Sequence, residues 1–310
     1  MNTKVEKPKI IVICGQTCIG KTALAIKIAK AVNGEIISAD SMQVYRHMDI
    51  GTAKPTLDEQ ASVPHYMIDV VEPDEHFDAA RFALMAGAKI IQLHEQGIVP
   101  LVVGGTGLYI NALLYGLSRA RPADQKVLQR LKNEASAHGT GFLYQKLCEC
   151  DSAAADRIHP NDTFRLIRAL EVFEVTGKTI SSFHQKHRFK DKQFDFLQVG
   201  LTMDRDNLYD RINTRVDIMI HEGLLNEVKG LLAQGYSNNL KSMQSIGYRH
   251  MVDYIQKHFS WEDTVRLLQR DTRRYAKRQM TWFKRDTNIL WKESHQSKNI
   301  IEKIKCFVKT

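Results

Sequence analysis

A short glycine-rich segment near the start of the chain has the residue types and spacing of a phosphate-binding loop. It lies between an apolar run at 10–14 and a helical pattern from Lys21 to Ala31, and it fits the motif GxxxxGK[ST]. Glycines let backbone N–H groups turn toward an anion, and the start of a helix adds the positive end of its dipole. The segment therefore predicts a polyphosphate site made by Gly15, Gln16, Thr17, Cys18, Ile19, Gly20, Lys21 and Thr22.

Three side chains of this loop could do chemistry. Lys21 supplies a positive charge, and the hydroxyl of Thr22 is the predicted protein ligand of a Mg2+ ion. Cys18 lies close to Lys21 and to the start of a helix, a setting that favours a reactive thiol. We expect alkylation of Cys18 to inactivate the protein and a bound polyphosphate to protect it.

A second polar cluster follows the apolar residues at 35–39. Asp40 is the nearest match to the acidic residue that nucleoside triphosphatases carry after a strand, but Glu35-Ile-Ile-Ser-Ala39 is weakly apolar for that role. Ser41 and Gln43 add hydrogen-bonding side chains that suit the edge of a nucleobase. The pattern favours a polyphosphate ligand over a hydrolysed nucleotide.

The alternation of strand and helix patterns predicts an α/β fold with a P-loop, a doubly wound and mostly parallel sheet, and a helical insertion. Ligands of such sheets bind at the carboxyl ends of the strands, where 15–22, 40–43 and 104–106 are expected to converge. Residues 1–120 and 193–310 are predicted to form the core, and 121–192 the insertion. The predicted strands are 10–14, 35–39, 66–71, 98–103 and 196–201.

Composition and charge limit the classes of function. The net charge of +9 and the pI near 9.2 suggest an anionic partner without identifying it. Five cysteines without a CxxC spacing argue against a zinc site, and no run of apolar residues is long enough to span a membrane. We expect a cytoplasmic monomer with free thiols.

An ordered set of motifs along nearly the whole chain resembles the tRNA dimethylallyltransferase (tRNA isopentenyltransferase) family, bacterial type. Besides the phosphate loop, whose residues Gln16, Cys18 and Ile19 depart from the usual Gly-Pro-Thr-Ala-Ser-Gly-Lys-Thr, seven segments carry the resemblance. They are Asp40-Ser-Met-Gln-Val-Tyr45, Met48-Asp-Ile-Gly-Thr-Ala-Lys-Pro55, Val103-Gly-Gly-Thr-Gly-Leu-Tyr109, Arg157-Ile-His-Pro-Asn-Asp162, Arg165-Leu-Ile-Arg-Ala-Leu-Glu-Val172, Ser245-Ile-Gly-Tyr-Arg249 and Tyr275-Ala-Lys-Arg-Gln-Met-Thr-Trp282.

The resemblance implies that the loop binds dimethylallyl diphosphate rather than ATP. It also implies transfer of the prenyl group to N6 of adenine 37 in tRNAs that read codons beginning with U, through a channel open to both substrates. The partner is then the anticodon stem-loop of tRNA, and the insertion is expected to contact it.

This reaction gives the polar residues specific expected roles. Asp40 is the candidate base that takes the amine proton, with capping of the next helix as its alternative role. Thr106 would hold the bridging oxygen of the diphosphate, or else cap a helix, and Lys21 would balance the charge of the leaving group. Arg211 and Arg215 share one helix face, and we favour Arg215 as the diphosphate clamp over Arg211.

The predicted tRNA contacts are Thr106 and four groups of residues. Two segments are implied by the resemblance and a third surrounds Asp40; the fourth is a basic stripe on a helix from about 262 to 284, whose only acid between 264 and 284 is Asp271. The residues are Asp40, Ser41, Met42, Gln43, Thr106, Phe164, Arg165, Leu166, Ile167, Arg168, Gln244, Ser245, Ile246, Gly247, Tyr248, Arg249, Arg270, Arg273, Lys277 and Arg278; Arg266, Arg274 and Lys284 complete the stripe.

Two other functions remain open at this point. An enzyme that prenylates free adenine nucleotides would need neither the insertion nor the basic helix, since its acceptor is small. A P-loop kinase or RNA-binding NTPase would need a stronger acidic position after a strand than Asp40 offers.

Overall fold

The computed structural model describes residues 7–117, 124–187 and 192–309, and of 184–187 it describes only the backbone. The chain divides into two compact units, residues 1–114 with 192–310, and residues 115–191. The predicted boundary between 120 and 121 lies outside the described residues.

The first unit is built on a six-stranded sheet in the order β3-β2-β4-β1-β5-β6. All the paired strands are parallel, which confirms the predicted α/β class. The strands are β1 (Lys9–Gly15), β2 (Gly34–Ser38), β3 (His65–Tyr66), β4 (Val99–Gly104), β5 (Asp195–Thr202) and β6 (Leu290–Glu293).

Two predicted details of the sheet were wrong. The strand predicted at 66–71 is only two residues long, and Val71 instead forms an isolated parallel bridge with Tyr45. The edge strand β6 was not predicted, because four residues after a long helical region carry too little alternation to stand out.

The helices occupy the remaining regular structure. They are α1 (Lys21–Val32), α2 (Leu57–Ser62), α3 (Ala79–Glu95), α4 (Gly107–Tyr115), α5 (Gln125–His138), α6 (Thr140–Cys150), α7 (Ser152–Ala155), α8 (Thr163–Thr176), α9 (Ile180–His187), α10 (Arg205–His221), α11 (Leu224–Ala233), α12 (Tyr248–Ile255), α13 (Trp261–Phe283) and α14 (Ser297–Lys309). No helix within the described ranges has the length and apolar character needed to cross a membrane.

Both faces of the sheet are covered. Neighbouring residues of β1 point to opposite faces, yet Ile10, Ile11, Val12 and Ile13 are all fully buried. A central strand that is apolar on both sides is typical of a parallel sheet between helical layers. This burial fixes β1 rigidly, and with it the loop that begins at Gly15.

The second unit is helical and has its own core. Leu131, Leu143, Leu147 and Leu170 belong to a cluster of buried residues from α5, α6 and α8. Helix α8 begins after Asp162, whose carboxylate caps the N–H of Arg165, and ends at the left-handed Gly177.

Candidate active site

The phosphate loop joins the end of β1 to the start of α1. Gly15 and Gly20 have φ angles of 145° and 96°, which side chains other than glycine rarely adopt. A Cβ atom on Gly15 would also lie 3.0 Å from the carbonyl oxygen of Leu201. The glycines therefore allow the tight turn that brings Lys21 over the loop, where its Nζ donates to the carbonyl of Gln16 at 2.7 Å.

Burial lowers the pKa of Lys21 to about 8. The charge of Asp40 opposes this shift, and the guanidinium of Arg215 reinforces it. Lys21 is thus a buried cation with little solvation by water, so a polyanionic ligand would gain strongly from its charge.

Three side chains of the loop, those of Gln16, Cys18 and Ile19, are buried. Ile19 is fully buried, Cys18 is 5% exposed, and both belong to the core cluster beside β1. The side chain of Cys18 is therefore part of the packing, a position that disfavours a reactive thiol, and its alkylation stays a prediction. These positions can offer a ligand their backbone groups only.

Asp40 follows β2 and organises the turn after it. Its Oδ1 accepts hydrogen bonds from the N–H groups of Met42 at 2.8 Å and Gln43 at 3.3 Å. No helix follows, so Asp40 caps a turn and not a helix, and no described residue hydrogen-bonds to its Oδ2. Burial raises the pKa of this carboxyl, while the N–H of Met42 and the charge of Lys21 act in the opposite direction.

Thr106 connects the end of β4 to the Asp40 turn. Its N–H donates to the carbonyl of Ala39 at 3.2 Å, and its Oγ1 accepts the N–H of Ser41 at 3.0 Å. Thr106 precedes α4, but its hydroxyl is used across the site and not to cap that helix. The three polar clusters that follow β1, β2 and β4 therefore converge, as the sequence predicted.

A cavity of about 330 Å³ opens beside these clusters in the first unit. Thr17 and Asp40 line one side, and Tyr275 and Arg278 of α13 line another. Burial raises the pKa of Tyr275, and the nearby charge of Asp40 adds to this effect. Six other predicted contact residues also line the cavity: Ser41, Met42, Gln244, Ser245, Ile246 and Gly247.

The two candidate clamp arginines on α10 differ in position. Arg215 is half-buried and lines the cavity with Thr17 and Asp40. Arg211 is exposed, and its guanidinium lies 3.9 Å from the place where a Cβ of Gly20 would be. Arg215 thus faces the space shared by the loop and Asp40, whereas Arg211 approaches the loop at its helix end.

Several predicted tRNA contacts have other partners in the structure. Leu166 and Ile167 belong to the core of the second unit, and Tyr248 is fully buried with its hydroxyl donating to Glu227 at 2.6 Å. Because these three side chains are buried, we do not expect them to contact tRNA directly. They were included because a sequence motif on a helix also contains the residues that pack against the core. The side-chain amide of Gln43 accepts a hydrogen bond from the Ser38 hydroxyl and donates to the carbonyls of Thr52 and Ala53, and so it shapes the cavity wall.

The exposed members of the same segments remain available at the surface. Phe164 is 82% exposed, and Arg165 is exposed beside its partner Asp162. Arg168 pairs with the buried Glu171 at 2.6 Å, and Arg249 pairs with Asp271 at 2.6 Å. Each guanidinium is therefore held in place by a carboxylate.

The basic stripe of α13 is less unbalanced than its sequence suggested. Asp271 pairs with Arg270 at 2.9 Å and with Arg274 at 3.7 Å, and the guanidinium of Arg273 bonds Asn213. Arg266 pairs with Asp263, just before the run. Within the described part of the chain, the stripe residues without an ion pair to an acid are Arg273, Lys277, Arg278 and Lys284.

The chain has relatives among known proteins. The sequence profile described as IPP transferase matches residues 43–286 of the chain. A tRNA dimethylallyltransferase of Desulfosudis oleivorans is 53% identical over 98% of this chain and 96% of its own length. The chain belongs to the IPP transferase family.

Solved structures of the family share the fold. A tRNA isopentenylpyrophosphate transferase from Bacillus halodurans superimposes with a TM-score of 0.74 and 41% identity, covering 98% of this chain and 97% of that one. A eukaryotic dimethylallyltransferase acting on tRNA gives a TM-score of 0.79 at 30% identity, over 96% of this chain and 77% of that one. The P-loop sheet of this IPP transferase is thus the family's own scaffold.

Two polar residues that support the site were missed by sequence reasoning. Glu227 of α11 accepts the N–H groups of Asp49 at 2.9 Å, Ile50 at 2.8 Å and Gly51 at 3.1 Å, and so holds one wall of the cavity. Gln279 of α13 contacts the phosphate loop. Gln279 was within a quoted motif, but a polar residue on a basic helix gave no sign of facing inward.

We expect Gly104→Ala to destabilise this IPP transferase by about 1–3 kcal/mol, the usual cost of overpacking. A Cβ atom on Gly104 would lie 2.1 Å from the carbonyl oxygen of Ala39, and backbone cannot give way as a side chain can. Denaturant unfolding measures the loss. Gly141→Ala in α6 is the control, because its Cβ would meet nothing within 4 Å; equal stability of both variants would contradict the expectation.

Proposed function

We propose that this chain transfers a dimethylallyl group from dimethylallyl diphosphate to N6 of adenine 37 in tRNAs that read codons beginning with U. The observation that carries the proposal is the cavity in which Asp40 and Arg215 meet the phosphate loop, in a member of the IPP transferase family. The relatives named tRNA dimethylallyltransferase support a dimethylallyl donor and a tRNA acceptor.

The donor half of the reaction uses the phosphate loop. Breaking the bond between the allylic carbon and the bridging oxygen leaves negative charge on the diphosphate. Loop N–H groups, Lys21 and Arg215 would stabilise this charge without reorganising during the reaction. Thr106, whose Oγ1 accepts the N–H of Ser41, would donate its hydroxyl to the bridging oxygen.

The acceptor half uses Asp40. An adenine amine is a weak nucleophile because its lone pair is delocalised into the ring. As the N6–carbon bond forms, the amine must lose a proton, and the Oδ2 of Asp40 would accept it. The raised pKa of Asp40 makes the carboxylate a stronger proton acceptor than an exposed aspartate.

A Mg2+ ion is part of the proposal. The described residues contain no group of three or more His, Cys, Asp or Glu that could hold a metal ion. An ion at this loop would therefore take the Thr22 hydroxyl as its protein ligand and most other ligands from the diphosphate and water, which suits Mg2+. It would neutralise charge on the leaving group.

The direct test is to incubate the protein with dimethylallyl diphosphate, Mg2+ and unmodified tRNA, and to examine the nucleosides by mass spectrometry. Dimethylallyladenosine should form, and a tRNA with guanine in place of adenine 37 should give none. Product from AMP but not from tRNA would favour a nucleotide prenyltransferase, and ATP consumption without product would favour an NTPase.

The pH dependence should be bell-shaped. Asp40 must be ionised to accept a proton, so the rate should fall as pH drops through its raised pKa. Lys21 must be charged to hold the donor, so kcat/KM for the donor should fall as pH rises through about 8. Lys21→Arg should remove the alkaline limb, because arginine does not titrate there; an unchanged alkaline limb would assign it to another group.

The salt dependence of tRNA binding should report the basic stripe. Lys277→Ala should reduce the slope of log affinity against log salt by roughly 0.7–0.9, the effect of one lost phosphate contact. Arg273→Ala should change it less, since that guanidinium bonds Asn213 and lies over the ring of Tyr209. Lys303→Ala on α14 is the exposed-lysine control. Equal slopes for Lys277→Ala and this control would place tRNA elsewhere.

A further inference from the structure

Gln279 connects the two loops that the proposed reaction uses. Its Oε1 accepts the N–H of Thr17 in the phosphate loop at 2.8 Å, and its Nε2 donates to the carbonyl of Gly105 at 3.0 Å. The side chain is 6% exposed. A buried amide that makes one bond to each loop acts as a strut of fixed length between them.

The surroundings of Gln279 are built around this strut. A Cβ atom on Gly105 would lie 2.2 Å from the Nε2 of Gln279, so a glycine at 105 is needed for the close approach. One turn earlier in α13, the carbonyl of Ala276 accepts a second bond from the loop, donated by Gln16 at 3.0 Å. Two successive loop residues, Gln16 and Thr17, are therefore bonded to α13 at positions one turn apart.

The bond to Thr17 has a consequence for the donor site. In a phosphate loop the backbone N–H groups are the donors that surround the anion. The N–H of Thr17 instead donates to Gln279, so α13 fixes the position of the loop backbone that would surround the anion. The backbone pairing of β1 with β4 ends at Cys14 and Gly104. Past this point the side chain of Gln279 connects the two loops that follow these strands.

We propose that Gln279 is a positioning residue for the transfer reaction: it sets the spacing between the donor loop at 15–22 and the acceptor-side residues Thr106 and Asp40. This inference rests on the proposed function and deepens it. Because rate depends steeply on the alignment of reacting atoms, loss of the strut should lower turnover more than it weakens binding of either substrate.

The test compares Gln279→Met, which keeps the length and removes both bonds, with Gln279→Glu, which can accept from Thr17 but cannot donate to Gly105. We expect the Met variant to lose about 10- to 100-fold in kcat, the range for a small misplacement of reacting groups. The Kd for tRNA and for a non-reactive thiolo analogue of dimethylallyl diphosphate should stay close to the parent values. The Glu variant should keep analogue binding and still lose kcat.

The control is Gln269→Met on the same helix. The amide of Gln269 donates to Asp217 at 3.5 Å and contacts neither loop. Thermal unfolding establishes that each variant is folded, and the Glu variant carries the test if the Met variant is not. A kcat near the parent value in a folded variant would overturn the proposal. So would a loss seen only in KM for the donor, which would restrict Gln279 to shaping the donor loop.

A second readout does not depend on activity. Amide hydrogen exchange of peptides covering 15–20 and 104–108 should rise in the Met variant and stay unchanged in Gln269→Met. Absence of product from the parent protein would overturn the proposed function and the positioning role with it. Raised exchange in that case would still show that the strut exists, so the two failures are distinguishable.

Discussion

Asp40→Asn should lower the turnover of dimethylallyl transfer by about 10²–10⁴-fold, the usual contribution of a positioned acid or base. Asparagine keeps the shape of the side chain, and its amide oxygen can still accept the N–H groups of Met42 and Gln43 that bind Oδ1. The turn after β2 should therefore persist. What the variant loses is the carboxylate oxygen that would take the amine proton.

Single-turnover rates with saturating donor measure this loss, and filter binding measures tRNA affinity. The affinity should stay close to that of the parent, because the turn that shapes the cavity is kept. Ser41→Ala is a variant for comparison. It keeps the hydrogen bond to Thr106, because the donor is the backbone N–H of residue 41. Near-normal turnover of Asp40→Asn would remove Asp40 from the role of base.

Lys21→Ala should lower kcat/KM for dimethylallyl diphosphate by about 10²–10³-fold, the range for removing one preorganised charge donor. Lys21 belongs to the loop that would hold the diphosphate, and its Nζ donates to the carbonyl of Gln16 in that loop. Burial lowers its pKa to about 8, so a bound diphosphate would gain from a charge with little competing solvation.

Initial rates at varied donor concentration separate the donor effect from tRNA binding, which should not change. Lys27→Ala is the control, because Lys27 is exposed on the same helix α1. Added ATP should neither replace the donor nor be consumed. Coupled ATP hydrolysis, or a Lys21→Ala variant as active as Lys27→Ala, would contradict the donor assignment.

The sequence predicted the fold class and the convergence of the site because both depend on local signals. A phosphate loop, a glycine pair after β4 and an aspartate after β2 each mark the end of a parallel strand, and the carboxyl ends of such strands share one edge.

The missed features depend on tertiary contacts. Gln279 and Glu227 are polar residues on helices, and nothing local tells an inward amide or carboxylate from a solvated one. Leu166 and Ile167 were placed at a tRNA surface through a motif, although their apolar character already indicated packing. The sequence identified Asp271 as the one acid between 264 and 284 of its helix, but it did not show that Arg249 of α12 also pairs with this carboxylate.

The strand order has a consequence for how the chain is made. Strand β1 lies between β4 and β5, and β5 follows the whole helical unit at 115–191. When β1 to β4 have left the ribosome, β1 still has one unpaired edge. Some 90 residues separate β4 from β5, the strand that pairs with this edge. An apolar, open edge invites wrong pairing between chains. We expect this edge of β1 to be exposed to such pairing while the second unit is being synthesised, until β5 pairs with β1; β6 later adds the last strand beside β5.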